Sequence, residues 1–136
     1  MNNIEILQAY RQEKEDTFKQ VKEWINAKFE SIGNDGDDAV RWASLDNVFH
    51  EEAWHDFFDI SVFGKVECQL HGNDLYDNEV WHTVIYSPKL DIYFGLSGWY
   101  SSYDGTDYDL ELKLYYPQKV LMTEWKDVIE LTNKND

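Results

Sequence analysis

The first thirty-two residues constrain the fold most, because they predict one uninterrupted amphipathic helix. No Gly or Pro occurs between Ile4 and Ile32. Apolar side chains recur there every three or four residues, which is the spacing of one helical face; they are Leu7, Phe18, Val21, Ile25, Phe29 and Ile32. The next residues, 33–38, are rich in Gly, Asn and Asp and predict the end of the helix.

This apolar face could pair with a second helix or pack on a sheet. A coiled coil requires apolar side chains along a continuous seam. Arg11, Lys14 and Lys28 occupy positions on that seam. The sequence therefore favours ordinary packing of the helix on a sheet, and a monomer over self-association through the helix.

Beyond residue 57 apolar and polar side chains alternate, which is the spacing of half-buried strands. The first predicted strand has one apolar face, made by Phe58, Ile60, Val62, Val66, Cys68 and Leu70. The second, Val80–Tyr86, is apolar on both faces and is predicted to lie inside the sheet. The apolar faces of the third and fourth strands are Leu90, Ile92, Phe94 and Leu96, and Leu110, Leu112, Leu114 and Tyr116.

Shorter patterns complete the predicted fold. Residues 44–57 predict a short helix with inward side chains at Leu45, Val48, Phe49 and Ala53. Ser87-Pro88-Lys89 predicts a turn, Val120–Trp125 a fifth strand, and Lys126–Leu131 a helical end. We therefore expect a single α+β domain over residues 1–136, with a long N-terminal helix packed on an antiparallel β-meander of four to five strands.

Charge is distributed unevenly along the chain. The formal net charge is −15, from 27 acidic and 12 basic residues. Residues 1–32 hold six acids and five bases, a balance of −1, which leaves −14 for residues 33–136. Such a field attracts cationic partners and repels nucleic acid and anionic lipid. The expected partner is a basic protein, with no direct contact to nucleic acid or membrane.

Cysteine use and the N-terminus bear on the compartment. Cys68 is the only cysteine, so no intramolecular disulfide is possible, and no zinc pattern surrounds it. The first residues, Met1 to Glu5, do not resemble a secretory leader. No apolar run approaches the roughly 18 residues of a membrane span. The chain is expected to be a soluble protein of a reducing, cytoplasmic compartment.

The sequence offers little catalytic chemistry. His50 and His55 are five residues apart, which separates them by about 140° on a helix and does not suit the zinc motif H-E-x-x-H. Carboxylates that could hold a divalent cation occur in two turn-like segments, Asn34–Asp38 and Asp104–Asp109, but neither matches an EF-hand. No nucleophile or phosphate-binding motif is present. We expect no catalytic residue, no metal and no cofactor; the enzyme alternative is a metal-assisted hydrolase using Asp104, Asp107 and Asp109.

The segment Gly98-Trp99-Tyr100-Ser101-Ser102-Tyr103-Asp104-Gly105-Thr106-Asp107 resembles the GYYSSYDGT segment of small uncharacterised proteins commonly encoded by tailed bacteriophages. The resemblance covers about residues 60–126, with looser agreement at the strands Phe63–Gly72, Val80–Tyr86 and Tyr116–Val120. It implies a small phage protein with a long helix and a β-meander, acting in the host cytoplasm. It implies no particular activity.

Two segments are the predicted binding surface. Residues 34–59 carry eight acids and one base, a balance of −7, and residues 99–109 carry four aromatics and three carboxylates without a base. Carboxylates accept hydrogen bonds from Arg, and aromatic side chains are favoured at binding centres. The candidate binding residues are Asp37, Asp38, Glu51, Glu52, Trp54, Asp56, Trp99, Tyr103, Asp104, Asp107 and Tyr108.

These segments lead to two hypotheses about function. In the first, the chain is a non-enzymatic acidic phage-type protein that binds a basic host protein and inhibits or modulates it, by mimicry of nucleic acid. In the alternative, the acidic charge serves solubility alone, and the long helix or a sheet edge of a structural or accessory phage protein docks to a virion component. A purely structural role for the aromatic-acidic segment, with Trp99 and Tyr100 closing the core and the Asp residues making a turn, is compatible with both.

Overall fold

The fold is a four-stranded sheet with helices on one face. A computed structural model describes residues 2–74, 79–101 and 105–119, together with Trp125 and Val128. In chain order the elements are α1 (Asn3–Ser31), α2 (Asp38–His50), α3 (Trp54–Phe57), α4 (Ile60–Phe63), β1 (Glu67–Asn73), β2 (Val80–Ser87), β3 (Ile92–Ser101) and β4 (Gly105–Tyr115). The sheet is antiparallel, with strand order β1-β2-β3-β4. This confirms the predicted α+β fold and its meander.

The long N-terminal helix is present, but only half of it covers the core. The side chain of Asn2 begins α1 by accepting a hydrogen bond from the Glu5 N–H at 2.8 Å. The buried side chains of α1 are Val21, Ile25 and Phe29. The prediction was wrong for Leu7 and Ile32, which are 42% and 62% exposed because they lie on the first turns and just past the end of the helix.

The helix predicted at residues 44–57 begins earlier and is broken. Asp37 caps α2 by accepting a hydrogen bond from the Val40 N–H at 3.1 Å, and the helix begins at Asp38, six residues before the predicted start. Glu52 adopts a positive φ of 54°, which ends α2 before α3 begins. Leu45 and Phe49 are buried as predicted.

The first predicted strand was wrong over residues 58–66. The Asp59 side chain accepts a hydrogen bond from the Ser61 N–H at 2.8 Å and begins α4 there instead. Gly64, with φ of 72°, ends that turn, and the strand starts only at Glu67. Phe58 and Phe63 are buried, whereas Ile60 is 69% exposed, so the alternation reflected helical and turn positions rather than a strand.

The core lies between the helices and one face of the sheet. β2 has neighbours on both sides, as predicted for the strand that is apolar on both faces. The face toward the helices is built from Ile85, Phe94, Leu96 and Leu112. Trp24 of α1 links that face to the α3–α4 region through edge-to-face contacts with Phe57 and Phe63. Among the described helices, none combines the length and apolar composition of a membrane span. The predicted fifth strand and helical end fall on residues 120–131, of which the structure describes Trp125 and Val128.

Candidate functional site

Residues 34–59 form an exposed acidic surface. Seven of their eight carboxylates belong to exposed residues: Asp35, Asp37, Asp38, Glu51, Glu52, Asp56 and Asp59. The eighth, Asp46, is half-buried, with its carboxylate 3.3 Å from Nε2 of His50. We call the seven exposed residues the acidic surface.

The only base of this segment, Arg41, is turned toward the protein. Its Nη2 donates to the Asn34 carbonyl at 3.4 Å, and the Asn34 side chain in turn donates to Oγ of Ser44 at 3.0 Å. Within the described residues the Arg41 guanidinium takes part in no salt bridge. Arg41 therefore fixes the loop before α2 and forms no salt bridge with the acidic surface. Within that surface, hydrogen bonds from Ser61 lower the pKa of Asp59, and Lys28 and Lys89 lie close enough to lower it further.

Six of the seven carboxylates lie in two groups at opposite ends of α2, and the seventh, Asp59, follows α3. The N-terminal group is Asp35, Asp37 and Asp38, and the C-terminal group is Glu51, Glu52 and Asp56. A helix of 13 residues is about 20 Å long at 1.5 Å per residue. This exceeds the screening length of about 8 Å at physiological salt, so the two groups act as separate charges there.

The fold itself accounts for the N-terminal group. The side chain of Asp37 caps α2, and Asp38 lies in its first turn. Carboxylates at this end of a helix are stabilised by its exposed N–H groups and by the helix dipole. These residues would be expected here without any binding partner.

The C-terminal group has no such local explanation. Glu51 and Glu52 follow the last turn of α2, where the helix dipole is unfavourable to negative charge. The turn is a Schellman motif: the Ala53 N–H bonds to the Val48 carbonyl at 2.9 Å, and the Glu52 N–H to the Phe49 carbonyl at 3.2 Å. The left-handed residue of that motif is usually Gly, and another residue there costs about 1–2 kcal/mol. Here it is Glu52, so this end of α2 carries charge at a cost in stability.

Trp54 does not belong to the acidic surface. Its side chain is 9% exposed and is part of the hydrophobic core. The short helix α3 places Trp54 and Phe57 inward, whereas Asp56 between them is exposed. Burial of Trp54 corrects its assignment as a surface contact.

The described residues of the aromatic-acidic segment lie at the end of β3 and the start of β4, which pair with each other. The register pairs Trp99 with Asp107, and Gly98 with Tyr108. β4 also packs against α2, so this segment and the acidic surface lie on neighbouring elements. Tyr103 and Asp104 fall outside the described residues.

The sheet face away from the core holds a polar cluster that sequence reasoning missed. His82 bridges two residues, with Nε2 lying 2.8 Å from Oδ2 of Asp74 and Nδ1 lying 3.0 Å from the Tyr115 hydroxyl. These three side chains line a cavity of about 740 Å³. They are up to 41 residues apart in sequence, and only the pairing of the strands brings them together.

The chemistry of this polar cluster favours hydrogen bonding over nucleophilic attack. Burial raises the pKa of Tyr115 to about 12, so its phenol keeps its proton near neutral pH. An activated nucleophile requires a shift in the opposite direction. Beside it, the Lys113 ammonium donates to Oγ of Ser97 at 2.8 Å. The cluster therefore joins the end of β1 to β2 and β4.

Neither metal-ligand geometry nor similarity assigns a further role. In the part of the chain that the structure describes, no group of three or more His, Cys, Asp or Glu side chains is arranged to hold a metal ion. Comparisons with models of protein families, with curated proteins and with solved structures gave no match. The chemistry of the surfaces described above is therefore the basis for inferring function.

Proposed function

We propose that this chain is a non-enzymatic phage-type protein whose acidic surface binds a basic patch on a host protein. The observation that carries the proposal is that seven carboxylates of residues 34–59 are exposed while the only base among them is turned inward. A surface with this excess of negative charge steers cationic partners and repels competing anions.

The C-terminal group is the part of the surface most specific to binding. Glu51 and Glu52 stand where the helix dipole and the backbone conformation both disfavour them. Residues held at a cost to stability cluster at functional sites. Paired carboxylates of this kind accept bidentate hydrogen bonds from Arg, which favours an Arg-rich partner surface.

The proposed mode of action is mimicry of nucleic acid. Carboxylates held at the ends of a helix present negative charge to the same Lys and Arg side chains that neutralise phosphates. A partner whose nucleic-acid site is occupied in this way would be inhibited without any catalytic step.

Retention of partners from a bacterial lysate by the immobilised full-length protein tests the proposal. The test variant combines Glu51→Gln, Glu52→Gln and Asp56→Asn. The matched control combines Glu13→Gln, Asp16→Asn and Glu23→Gln, which removes three exposed carboxylates from α1 instead. We expect the wild type and the control to retain basic proteins and the test variant to lose them. This difference between the control and the test variant should be larger at low salt.

Competition with DNA tests the mimicry. Duplex DNA should displace a retained partner from the immobilised protein, because both would occupy the same site. Retention of the same proteins by the wild type and the test variant would contradict the proposal, as would a retained set without basic proteins. Persistence of the complex at saturating DNA would contradict mimicry while leaving binding intact.

A further inference from the structure

A groove of about 720 Å³ runs between α1 and β4, and none of its lining residues belongs to the acidic surface. One wall is made by side chains of α1 and the other by consecutive residues of and just after β4. The residues from α1 are Leu7, Tyr10, Arg11, Glu15, Phe18, Lys19 and Lys22, and those from the strand side are Glu111, Leu112, Lys113, Leu114, Tyr115 and Tyr116.

The second wall is the edge of the strand rather than one of its faces. Successive side chains of a strand point to opposite faces of the sheet. The groove touches every residue from 111 to 116, as expected of a groove along the edge of the strand, where its unpaired backbone groups lie. Among the described strands, β4 pairs with β3 alone. An edge of this kind is a template for an added strand.

The two walls are equally long. Six strand residues span about 20 Å at 3.4 Å each. The stretch from Leu7 to Lys22 spans about 22 Å of helix at 1.5 Å per residue. The groove is therefore long enough for an extended peptide of about six residues.

The groove is cationic although the chain as a whole carries −15. Its residues include three bases of α1 (Arg11, Lys19 and Lys22) and two acids (Glu15 and Glu111), a balance of +1, while the Lys113 ammonium donates to Ser97 instead. The other acids of α1 do not line the groove; they are Glu5, Glu13, Asp16, Glu23 and Glu30. α1 therefore separates its charges, with three of its five bases at the groove.

The remaining surface of the groove is apolar and aromatic. Phe18 and Leu114 are partly buried against the core. The Lys22 ammonium lies 4.9 Å from the centre of the Phe18 ring, and the Tyr10 and Tyr116 rings are 4.9 Å apart, edge to face. Tyr10 and Phe18 lie on α1 beside its bases, so the side of an occupant that faces α1 needs negative charge.

We infer that this groove binds an acidic peptide of another protein as an additional strand along the edge of β4. Alternate residues of an added strand would face α1, where acidic side chains meet its bases, and the apolar residues between them would face the other side of the sheet, where Tyr115 lies. Backbone pairing with β4 would supply affinity, and the Lys and Arg side chains of α1 would supply selectivity for acidic sequences. This site is separate from the acidic surface and has the opposite charge.

Fluorescence anisotropy with labelled six-residue peptides tests the inference on the full-length protein. The probes are an alternating Val-Glu peptide and a Val-Gln peptide of the same length. Binding of the Val-Glu peptide should be about tenfold weaker for Lys19→Gln combined with Lys22→Gln, since each charge pair at an exposed site contributes modestly. The matched control, Lys28→Gln combined with Lys65→Gln, should bind as the wild type does.

N-methylation of the peptide separates strand pairing from simple charge attraction. Methyl groups on alternate amides block backbone pairing on one side of the peptide and leave its charge unchanged. Two peptides are compared, each methylated on one of the two alternate sets of amides. One of them should lose binding, while the other retains it. Failure of the Val-Glu peptide to bind, equal binding of the Val-Gln peptide, or equal binding of both N-methylated peptides would overturn the inference.

Discussion

The helices α1 and α2 both end in a Schellman motif, but its left-handed position holds a Gly after α1 and a Glu after α2. After α1, the Gly33 N–H bonds to the Glu30 carbonyl at 3.1 Å and the Asn34 N–H to the Phe29 carbonyl at 2.9 Å. After α2 the same two bonds are made by Glu52 and Ala53. The left-handed residue is Gly33 with φ of 86° in one case and Glu52 with φ of 54° in the other.

This difference distinguishes a residue that the fold requires from a residue that the proposed binding role explains. Gly adopts left-handed backbone without a steric cost, so Gly33 is the residue that the end of α1 selects by itself. Glu52 meets the same geometry with a β-carbon and a negative charge at the negative end of α2. Selection for stability alone would favour Gly or Asn at both positions. The end of α2 is therefore the place where the proposed binding role has the clearest structural cost.

The largest effect is expected from removing the glycine after α1. Gly33→Ala should lower the free energy of unfolding by about 1–2 kcal/mol, because the added β-carbon disfavours left-handed backbone. Nothing lies within 4 Å of that β-carbon, so the loss would report conformation and not a clash. Urea unfolding of the wild type and the variant measures it. Unchanged stability would mean that this end of α1 does not hold its conformation in solution.

A smaller effect is expected at the other end of α2. Asp37→Ala should lower the free energy of unfolding by about 1 kcal/mol, because the Val40 N–H loses its side-chain acceptor. Asp37→Asn is the matched control, since Asn also caps helices well while removing the charge. Urea unfolding that shows equal losses for both variants would indicate that charge, and not capping, accounts for Asp37.

The reciprocal substitution at the end of α2 should raise stability and weaken binding. Glu52→Gly relieves the left-handed strain but adds freedom to the unfolded chain, which leaves a gain of about 0.5 kcal/mol. Urea unfolding together with retention of basic lysate proteins measures both effects. A variant that is more stable and still retains the same proteins would assign Glu52 no role in binding.

Sequence patterns correctly predicted the elements that follow a single periodicity along their length. The helical spacing of α1 and the apolar run of β2 were confirmed because core packing fixes both. The prediction was wrong over residues 58–66, where the Asp59 side chain bonds to its own neighbour Ser61 and starts a helical turn. A single local hydrogen bond of this kind is invisible to periodicity.

The candidate site was predictable in charge but not in geometry. The excess of carboxylates in residues 34–59 is visible in the sequence, and their exposure agrees with it. Burial of Trp54 depends on which face α3 turns toward the core, and the contacts of His82 depend on strand register. Neither follows from residue types alone, because both are set by distant parts of the chain.

The smallest effect concerns the pH dependence of stability, and it again involves Glu52 at the end of α2. The His71 ring of β1 lies 5.5 Å from the His50 ring, and its Nδ1 is 2.8 Å from Oγ1 of Thr83. Burial lowers the pKa of His71, the charge of His50 adds to this, and the carboxylates of Glu52 and Asp46 oppose it. The unfolded chain therefore binds this proton more readily, so the contribution of His71 to stability is retained at neutral pH and falls as pH drops below about 6.5.

Unfolding midpoints at neutral pH and at about pH 5 measure this contribution. His71→Gln should reduce the loss of stability on acidification relative to the wild type. Glu52→Gln should increase that loss, because it removes a charge that favours protonated His71. Gly33→Ala, at the end of α1, should lower both midpoints together and leave their difference unchanged. If Glu52→Gln behaved like Gly33→Ala in this respect, the carboxylate of Glu52 would not reach His71, and the two helix ends would differ in backbone conformation alone.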